Sequence, residues 1–139
     1  MTGGTGYLGI PLIRRLLERG HAVRALVRPT SPVELPAGVE RIGADALRVE
    51  SYRDRIAPAD TFVHLVGTPR PSPSKAAEFR RVDLVSIQAA VSAAVDARIA
   101  HFVYLSVAQP APVMQVYVSV RREGEELIRA SGIDPPIHA

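Results

Sequence analysis

The sequence has no cysteine and no tryptophan, and only one of its 139 residues is a lysine. Without cysteine there are no disulfide bonds, no thiolate catalysis and no cysteine-ligated metal site. The histidines show no metal-ligand spacing, so we predict no metal centre. No apolar run approaches membrane-spanning length and no secretory signal precedes the first motif, so we expect a cytoplasmic protein without a membrane span.

The sequence has no large excess of either charge, with 17 basic and 14 acidic residues. The net charge is +3, and the arginines are scattered along the chain, which disfavours binding to nucleic acid. A hydrophobic content of 47% and a charged content of 22% are ordinary for a globular domain. The length predicts one domain that is large enough to bury a core.

A glycine-rich turn opens the chain, with the sequence TGGTGYLG at 2–9. It reads as T-G-x-x-G-x-x-G on Gly3, Gly6 and Gly9. A diphosphate reaches the backbone N–H groups at a helix N-terminus only where no Cβ intervenes, and the sharp turn favours glycine. A helical apolar pattern and the β-like run 22–27 follow. This order predicts dinucleotide-type binding, with a purely structural turn as the alternative.

Both ends of the chain look incomplete beside this motif. Only Met1 and Thr2 precede the turn, where a buried strand of about five residues is expected. Residues 133–139 read as the approach to a sixth strand. We therefore expect a truncated first strand, an incomplete sixth strand and a fragment of a larger protein that lacks the C-terminal substrate-binding region.

Apolar β-like runs alternate with helical patterns along the rest of the chain. The β-like runs are 22–27, 39–42, 61–66 and 101–107, and the helical patterns are 8–17, 48–56, 84–95 and 121–130. Such alternation predicts a doubly wound parallel α/β sheet with helices on both faces and strand order 3-2-1-4-5-6. Ligands bind such sheets at the carboxyl ends of the strands.

The chain resembles the NAD(P)-binding short-chain dehydrogenase/reductase superfamily, in its extended and atypical branch of NmrA-like and NAD-dependent epimerase-like proteins. The resemblance implies a Rossmann-type fold and a single NAD(P)-binding domain over 1–139. It is carried by TGGTGYLG at 2–9, ALVR at 25–28, GADAL at 43–47, VHLVG at 63–67, HFVYLSVAQ at 101–109 and YVSVRREGEELIRASGI at 117–133.

The resemblance also implies cofactor-binding residues. Gly3, Gly6 and Gly9 would form the diphosphate turn. Asp45 would accept from the adenine amino group, with a loop-capping aspartate as the alternative. The residues expected to close over the cofactor are Thr5, Tyr7 and Leu8, and those expected to pass its ribose are Val66, Gly67 and Thr68.

Arg28 ends the second strand, where NAD-specific relatives place an acid for the ribose hydroxyls. A guanidinium there suits a 2′-phosphate, because it donates a fork of charge-assisted hydrogen bonds. We therefore expect NADP as the cofactor, with NAD possible, and we expect Arg24 on the same strand face to assist. The alternative is that Arg28 is a solvated strand-end residue.

The implied catalytic pair, Tyr-x-x-x-Lys, is incomplete. Tyr117 matches the tyrosine, but Arg121 stands four residues later, and the lysine of this chain is Lys75. The serine that helps to bind a substrate carbonyl matches the neighbourhood of Ser106. Two functions remain open. One is an NADP(H)-binding protein with weak or no orthodox catalysis. The other is an NADPH-dependent oxidoreductase or epimerase of a small carbonyl or nucleotide-sugar-like substrate, with Tyr117 as proton donor and Arg121 in place of lysine.

Overall fold

A computed structural model describes residues 1–67, 73–105 and 115–137. Helix α1 spans Gly9–Glu18 and α3 spans Gln115–Ser131. Helix α2 consists of three stretches that follow one another directly, Ala76–Glu78, the π-helical Phe79–Leu84 and Val85–Asp96. The strands are β1 (Arg24–Val27), β2 (Glu40–Gly43), β3 (Thr61–His64), β4 (His101–Tyr104) and β5 (Asp134–Ile137).

All strand pairings are parallel. β1 pairs with β2, β3 pairs with β4, and β4 pairs with β5. Thr2 lies between the two groups, with parallel bridges to Leu26 of β1 and His64 of β3. The order across the sheet is therefore β2, β1, Thr2, β3, β4, β5, which is the doubly wound order and confirms the predicted Rossmann-type fold.

The helices cover both faces of this sheet. On one face α1 inserts Ile13, which is fully buried and lies beside Gly4 and Ala25. On the other face the core joins Leu26, Phe62 and Phe102 to α2 and α3. Small side chains on α2 let this helix approach the sheet closely, and the rings of Phe62 and Phe102 stack with centroids 5.3 Å apart. The buried alanines of α2 are Ala89, Ala90, Ala93 and Ala94.

One detail of the sequence interpretation is wrong. The polar segment 48–56 holds only a 3-10 turn at Val49–Ser51, because Ser51 folds back to donate to the Asp45 carbonyl oxygen and Tyr52 turns into the core. The long helix predicted from the pattern at 84–95 is present, and it begins at Ala76. In the described residues no helix is long and apolar enough to cross a membrane.

A groove of about 830 Å³ lies at the amino end of the sheet, where β1 and β3 have no strand between them among the described residues. The Met1 carbonyl oxygen accepts from the Leu26 amide at 2.9 Å, and the Met1 amine donates to the Arg24 carbonyl oxygen at 2.7 Å. Burial, with help from the charge of Arg24, lowers the pKa of this amine to about 5. The groove is lined mainly by apolar side chains, among them Leu16, Val23, Leu26, Ile56, Phe62 and Val103.

Adding about five β-forming residues, such as Val and Ile, ahead of Met1 should fill this groove and raise the melting temperature. Valine and isoleucine favour the strand conformation and would bury apolar side chains in the groove, whereas a Gly/Ser extension supplies the same backbone groups without either effect. We expect a rise of more than about 4 °C by circular dichroism, the shift for roughly 1 kcal/mol. A Gly/Ser extension of equal length is the control, and equal melting temperatures would contradict the prediction.

Candidate dinucleotide-binding site

Two glycines of the opening turn are required by the protein's own packing. Gly3 has φ +73°, and a Cβ there would lie 2.7 Å from the Leu65 carbonyl carbon. A Cβ on Gly9, the first residue of α1, would lie 2.5 Å from the carbonyl oxygens of Gly3 and Gly4. The tight passage from Thr2 into α1 therefore excludes any larger residue at both positions.

Gly6 is different, because no atom of the described residues forbids a side chain there. Its Cβ would meet no atom closer than the Gly3 carbonyl oxygen at 3.5 Å, an ordinary contact. Among the described residues, the N–H groups of Thr5, Tyr7 and Leu8 donate to no protein acceptor, and α1 has no side-chain cap. Free N–H groups at a helix N-terminus, next to a residue without Cβ, fit the diphosphate of a dinucleotide.

The three residues predicted to close over the cofactor lie at the mouth of this turn. The exposed fraction of Tyr7 is 93% and that of Leu8 is 49%, whereas Thr5 is half-buried. Large exposed apolar side chains beside unsatisfied N–H groups suit a ligand that covers both. Their contact with the cofactor stays a prediction.

Arg28 and Arg24 lie at opposite ends of β1. Arg28 follows the strand at its carboxyl end and is exposed, and its guanidinium makes no hydrogen bond or ion pair within the described residues. Arg24 begins the strand, where its Nε lies 3.1 Å from a Glu40 carboxylate oxygen and its Nη1 donates to the Ile56 carbonyl oxygen. The prediction that Arg24 assists Arg28 is therefore wrong, because the Arg24 guanidinium is held at the amino ends of the strands.

Asp45 lies in the loop after β2 and caps that loop. Its Oδ1 accepts from the Leu47 amide at 2.9 Å, and its own amide donates to the Ser51 hydroxyl. Both bonds fix the loop at the carboxyl end of β2, beside the carboxyl end of β1. A role toward adenine stays a prediction, and it would fall to Oδ2, which makes no hydrogen bond in the part of the chain described.

The carboxyl ends of β3 and β4 meet at the side chain of Arg121. The guanidinium is buried, with Nη1 donating to the Leu105 carbonyl oxygen at 3.1 Å and Nη2 to Asp83 Oδ2 at 3.4 Å. It lies over the Tyr104 ring at 5.4 Å. A Cβ on Gly67 would overlap Nη2, so the strand end after β3 also packs against this group.

The remaining predicted site residues are only partly described. Val66 is the second residue after β3 and is half-buried beside Gly67. Thr68 and Ser106 lie outside the described residues, and so does the side chain of Tyr117, whose backbone is part of α3. No group of three His, Asp or Glu side chains in the described ranges could hold a metal ion.

Buried polar groups are joined by hydrogen bonds from Thr2, at the base of the glycine turn, to Asp83 on α2. Thr2 Oγ1 and His64 Nδ1 share a hydrogen bond of 2.7 Å, and His64 Nε2 lies 3.4 Å from Ser86 Oγ. Ser86 donates to the Asp83 carbonyl oxygen, so its oxygen is left to accept from His64 Nε2. Burial, followed by the positive charge of Arg121, lowers the pKa of His64 to about 3. His64 is thus a neutral core histidine, as its place in an apolar strand indicates.

Asp83 is the member of the site that sequence reasoning missed. It lies in the run FRRVDL, where charged and apolar residues alternate irregularly and an aspartate is expected at the surface. This run is π-helical, and the Asp83 carboxylate faces inward with an exposed fraction of 0%. No local signal in the sequence marks it, because its partner lies 38 residues away.

A family profile described as NAD(P)H-binding matches residues 3–135. The chain belongs to this family. A ketoreductase of a farnesyl dihydroquinoline oxide from Stigmatella aurantiaca is 33% identical over 125 residues, 84% of this chain and 36% of that protein. The ceramide reductase of Caulobacter vibrioides is 33% identical over 134 residues, 94% of this chain and 41% of that protein.

Solved structures share the fold of this chain. The Bordetella bronchiseptica enzyme WbmH in complex with NAD⁺ has a TM-score of 0.79 at 19% identity, over 99% of this chain and 52% of that chain. A putative epimerase from Burkholderia cenocepacia has a TM-score of 0.80 at 22% identity, over 99% of this chain and 51% of that chain. The chain therefore spans about half the length of these structures, and 36–41% of the two reductases.

Replacing Gly6 with alanine should separate ligand binding from folding. The added Cβ meets only ordinary contacts within the protein, so we expect the melting temperature to change by less than about 2 °C. The same Cβ would stand between the diphosphate and the N–H groups, so affinity for NADPH in calorimetric titration should fall at least about tenfold.

Gly9→Ala is the matched control for this experiment, since its Cβ would overlap two carbonyl oxygens. We expect it to lower the melting temperature as well as the affinity. Unchanged NADPH affinity in Gly6→Ala would show that the turn is purely structural.

Proposed function

We propose that this NAD(P)H-binding domain binds NADP(H) in preference to NAD(H) and performs weak or no orthodox short-chain-dehydrogenase catalysis, as an NmrA-like binding module. The observation that carries the proposal is the burial of Arg121 in an ion pair with Asp83. The resemblance implies that a lysine at this position lowers the pKa of the tyrosine and holds the nicotinamide ribose. A guanidinium that is already compensated by a carboxylate supplies less of that positive potential.

The cofactor preference rests on Arg28. A dinucleotide that lies on the glycine turn extends its adenosine toward the carboxyl ends of β1 and β2. Arg28 ends β1 at this edge with an unengaged guanidinium, and among the described residues no carboxylate lies within ion-pair distance of it. An arginine in that state favours a 2′-phosphate, because it adds charge-assisted bonds without losing existing ones.

Arg28→Ala should reduce the affinity for NADPH and leave that for NADH nearly unchanged. A lost charge-assisted contact is equivalent to about 1.5–3 kcal/mol, or roughly 10–150-fold in affinity. The measurement is calorimetric titration with both cofactors. Arg19→Ala removes the same charge at the far end of α1 and serves as the control. The preference for NADP would be contradicted if the unaltered chain bound both cofactors with equal affinity. It would also be contradicted by a preference for NADH that Arg28→Ala leaves unchanged.

A second candidate function is NADPH-dependent reduction or epimerisation of a small carbonyl or nucleotide-sugar-like substrate. It is favoured by the two relatives of 33% identity, whose names describe a ketoreductase and a ceramide reductase. In this case Tyr117 would be the proton donor and Arg121 would stand in for the lysine, with Ser106 beside the substrate carbonyl. Under either function we expect the protein to lie in the cytoplasm.

Loss of NADPH absorbance with a panel of small ketones and aldehydes distinguishes the two candidates. We expect slow turnover that changes less than about tenfold in Tyr117→Phe, because positioned acid–base catalysis is worth about 10²–10⁴-fold where it operates. NADPH affinity measured on the same variant shows whether the site is intact. If Tyr117→Phe abolishes a robust activity and Arg121→Lys raises it, the second candidate is correct.

A further inference from the structure

The Asp83–Arg121 pair occupies a position where a charge is costly. The side chain of Arg121 is 5% exposed and that of Asp83 is 0% exposed. Removing one partner of a buried ion pair leaves the other charge uncompensated, which is strongly destabilising. Asp83 therefore allows the guanidinium to remain between the two strand ends, and it does so from the π-helical stretch Phe79–Leu84.

Arg121 connects three backbone elements through this pair. It starts from α3, donates to Leu105 at the end of β4, and packs against Gly67 at the end of β3. Asp83 brings in α2, and Ser86 on the same helix links it to His64 and so to Thr2. The carboxyl ends of β3 and β4 and the base of the glycine turn are thus held by one continuous set of contacts.

The position of this set relative to the dinucleotide follows from the sheet order. A doubly wound sheet binds one mononucleotide half on each side of its switch point. Arg28 and Asp45 follow β1 and β2, on the adenine side. Gly67 and Leu105 follow β3 and β4, so they lie on the nicotinamide side.

We propose that Asp83 is a positioning residue for the nicotinamide half of the cofactor site. Through Arg121 it sets the spacing of the Gly67 and Leu105 backbones against which that half lies, and it has no role toward the adenine half. This inference rests on the proposed dinucleotide binding and adds a residue to it.

The test compares two probes, NADPH and 2′,5′-ADP, by calorimetric titration of the full chain. 2′,5′-ADP carries the adenine half and the 2′-phosphate alone. We expect Asp83→Asn to weaken NADPH at least about tenfold and to change 2′,5′-ADP less than about twofold. Arg28→Ala is the matched comparison, since it should weaken both probes.

A double variant, Asp83→Leu with Arg121→Met, keeps the experiment informative if Asp83→Asn fails to fold. Replacing both partners of a buried pair with apolar residues of similar volume is often neutral or stabilising. We expect a melting temperature at or above that of the unaltered chain, with NADPH still weakened and 2′,5′-ADP retained.

The other outcomes each decide a separate point. Equal losses for both probes in the folded double variant would mean that Asp83 acts only through the fold, and no loss for either would mean that the pair is merely a buried ion pair. Either result overturns the positioning role. If neither probe binds the unaltered chain, the proposed function fails first and this inference fails with it.

Discussion

Among the described residues, the two halves of the sheet are joined through Met1 and Thr2. The Thr2 amide donates to the Val63 carbonyl oxygen, the Thr2 carbonyl oxygen accepts from the Leu65 amide, and the Met1 carbonyl oxygen accepts from the Leu26 amide. The glycine turn leaves directly from this joint. These backbone bonds of about 3 Å align β1 with β3, and the core that Leu26 and Phe62 share with α2 supports the same alignment.

Side-chain contacts also hold Thr2 in place. The Thr2 hydroxyl bonds to His64, which is fully buried and remains neutral because desolvation opposes protonation. Ser86 and Asp83 continue the contacts into α2. Buried polar groups that are all hydrogen-bonded specify one arrangement, since any shift would leave a donor or acceptor unsatisfied in an apolar core. These contacts thus specify how Thr2 lies against β3 and α2.

Features governed by local pattern could be predicted from the sequence. The sheet order follows from alternating apolar runs, the helix after the glycine turn follows from its apolar face, and the burial of His64 follows from its apolar strand. Features governed by distant partners could not. The side chain of Arg24 is set by Glu40 and Ile56, and Asp83 is set by Arg121. The segment 48–56 has a helical pattern, but its competing Asp45 and Ser51 contacts hold it as a turn.

The two sides of the site differ in the kind of electrostatics that they use. Arg28 is exposed, so its attraction for a phosphate acts through water and is screened by salt within a Debye length of about 8–10 Å. The Asp83–Arg121 pair is buried, so salt screens it little, and its net charge is zero. An exposed free cation contributes attraction and choice of ligand, whereas a buried neutral pair contributes only geometry. In the proposed site, the buried pair would keep the strand ends ordered for a dinucleotide in place of the usual lysine.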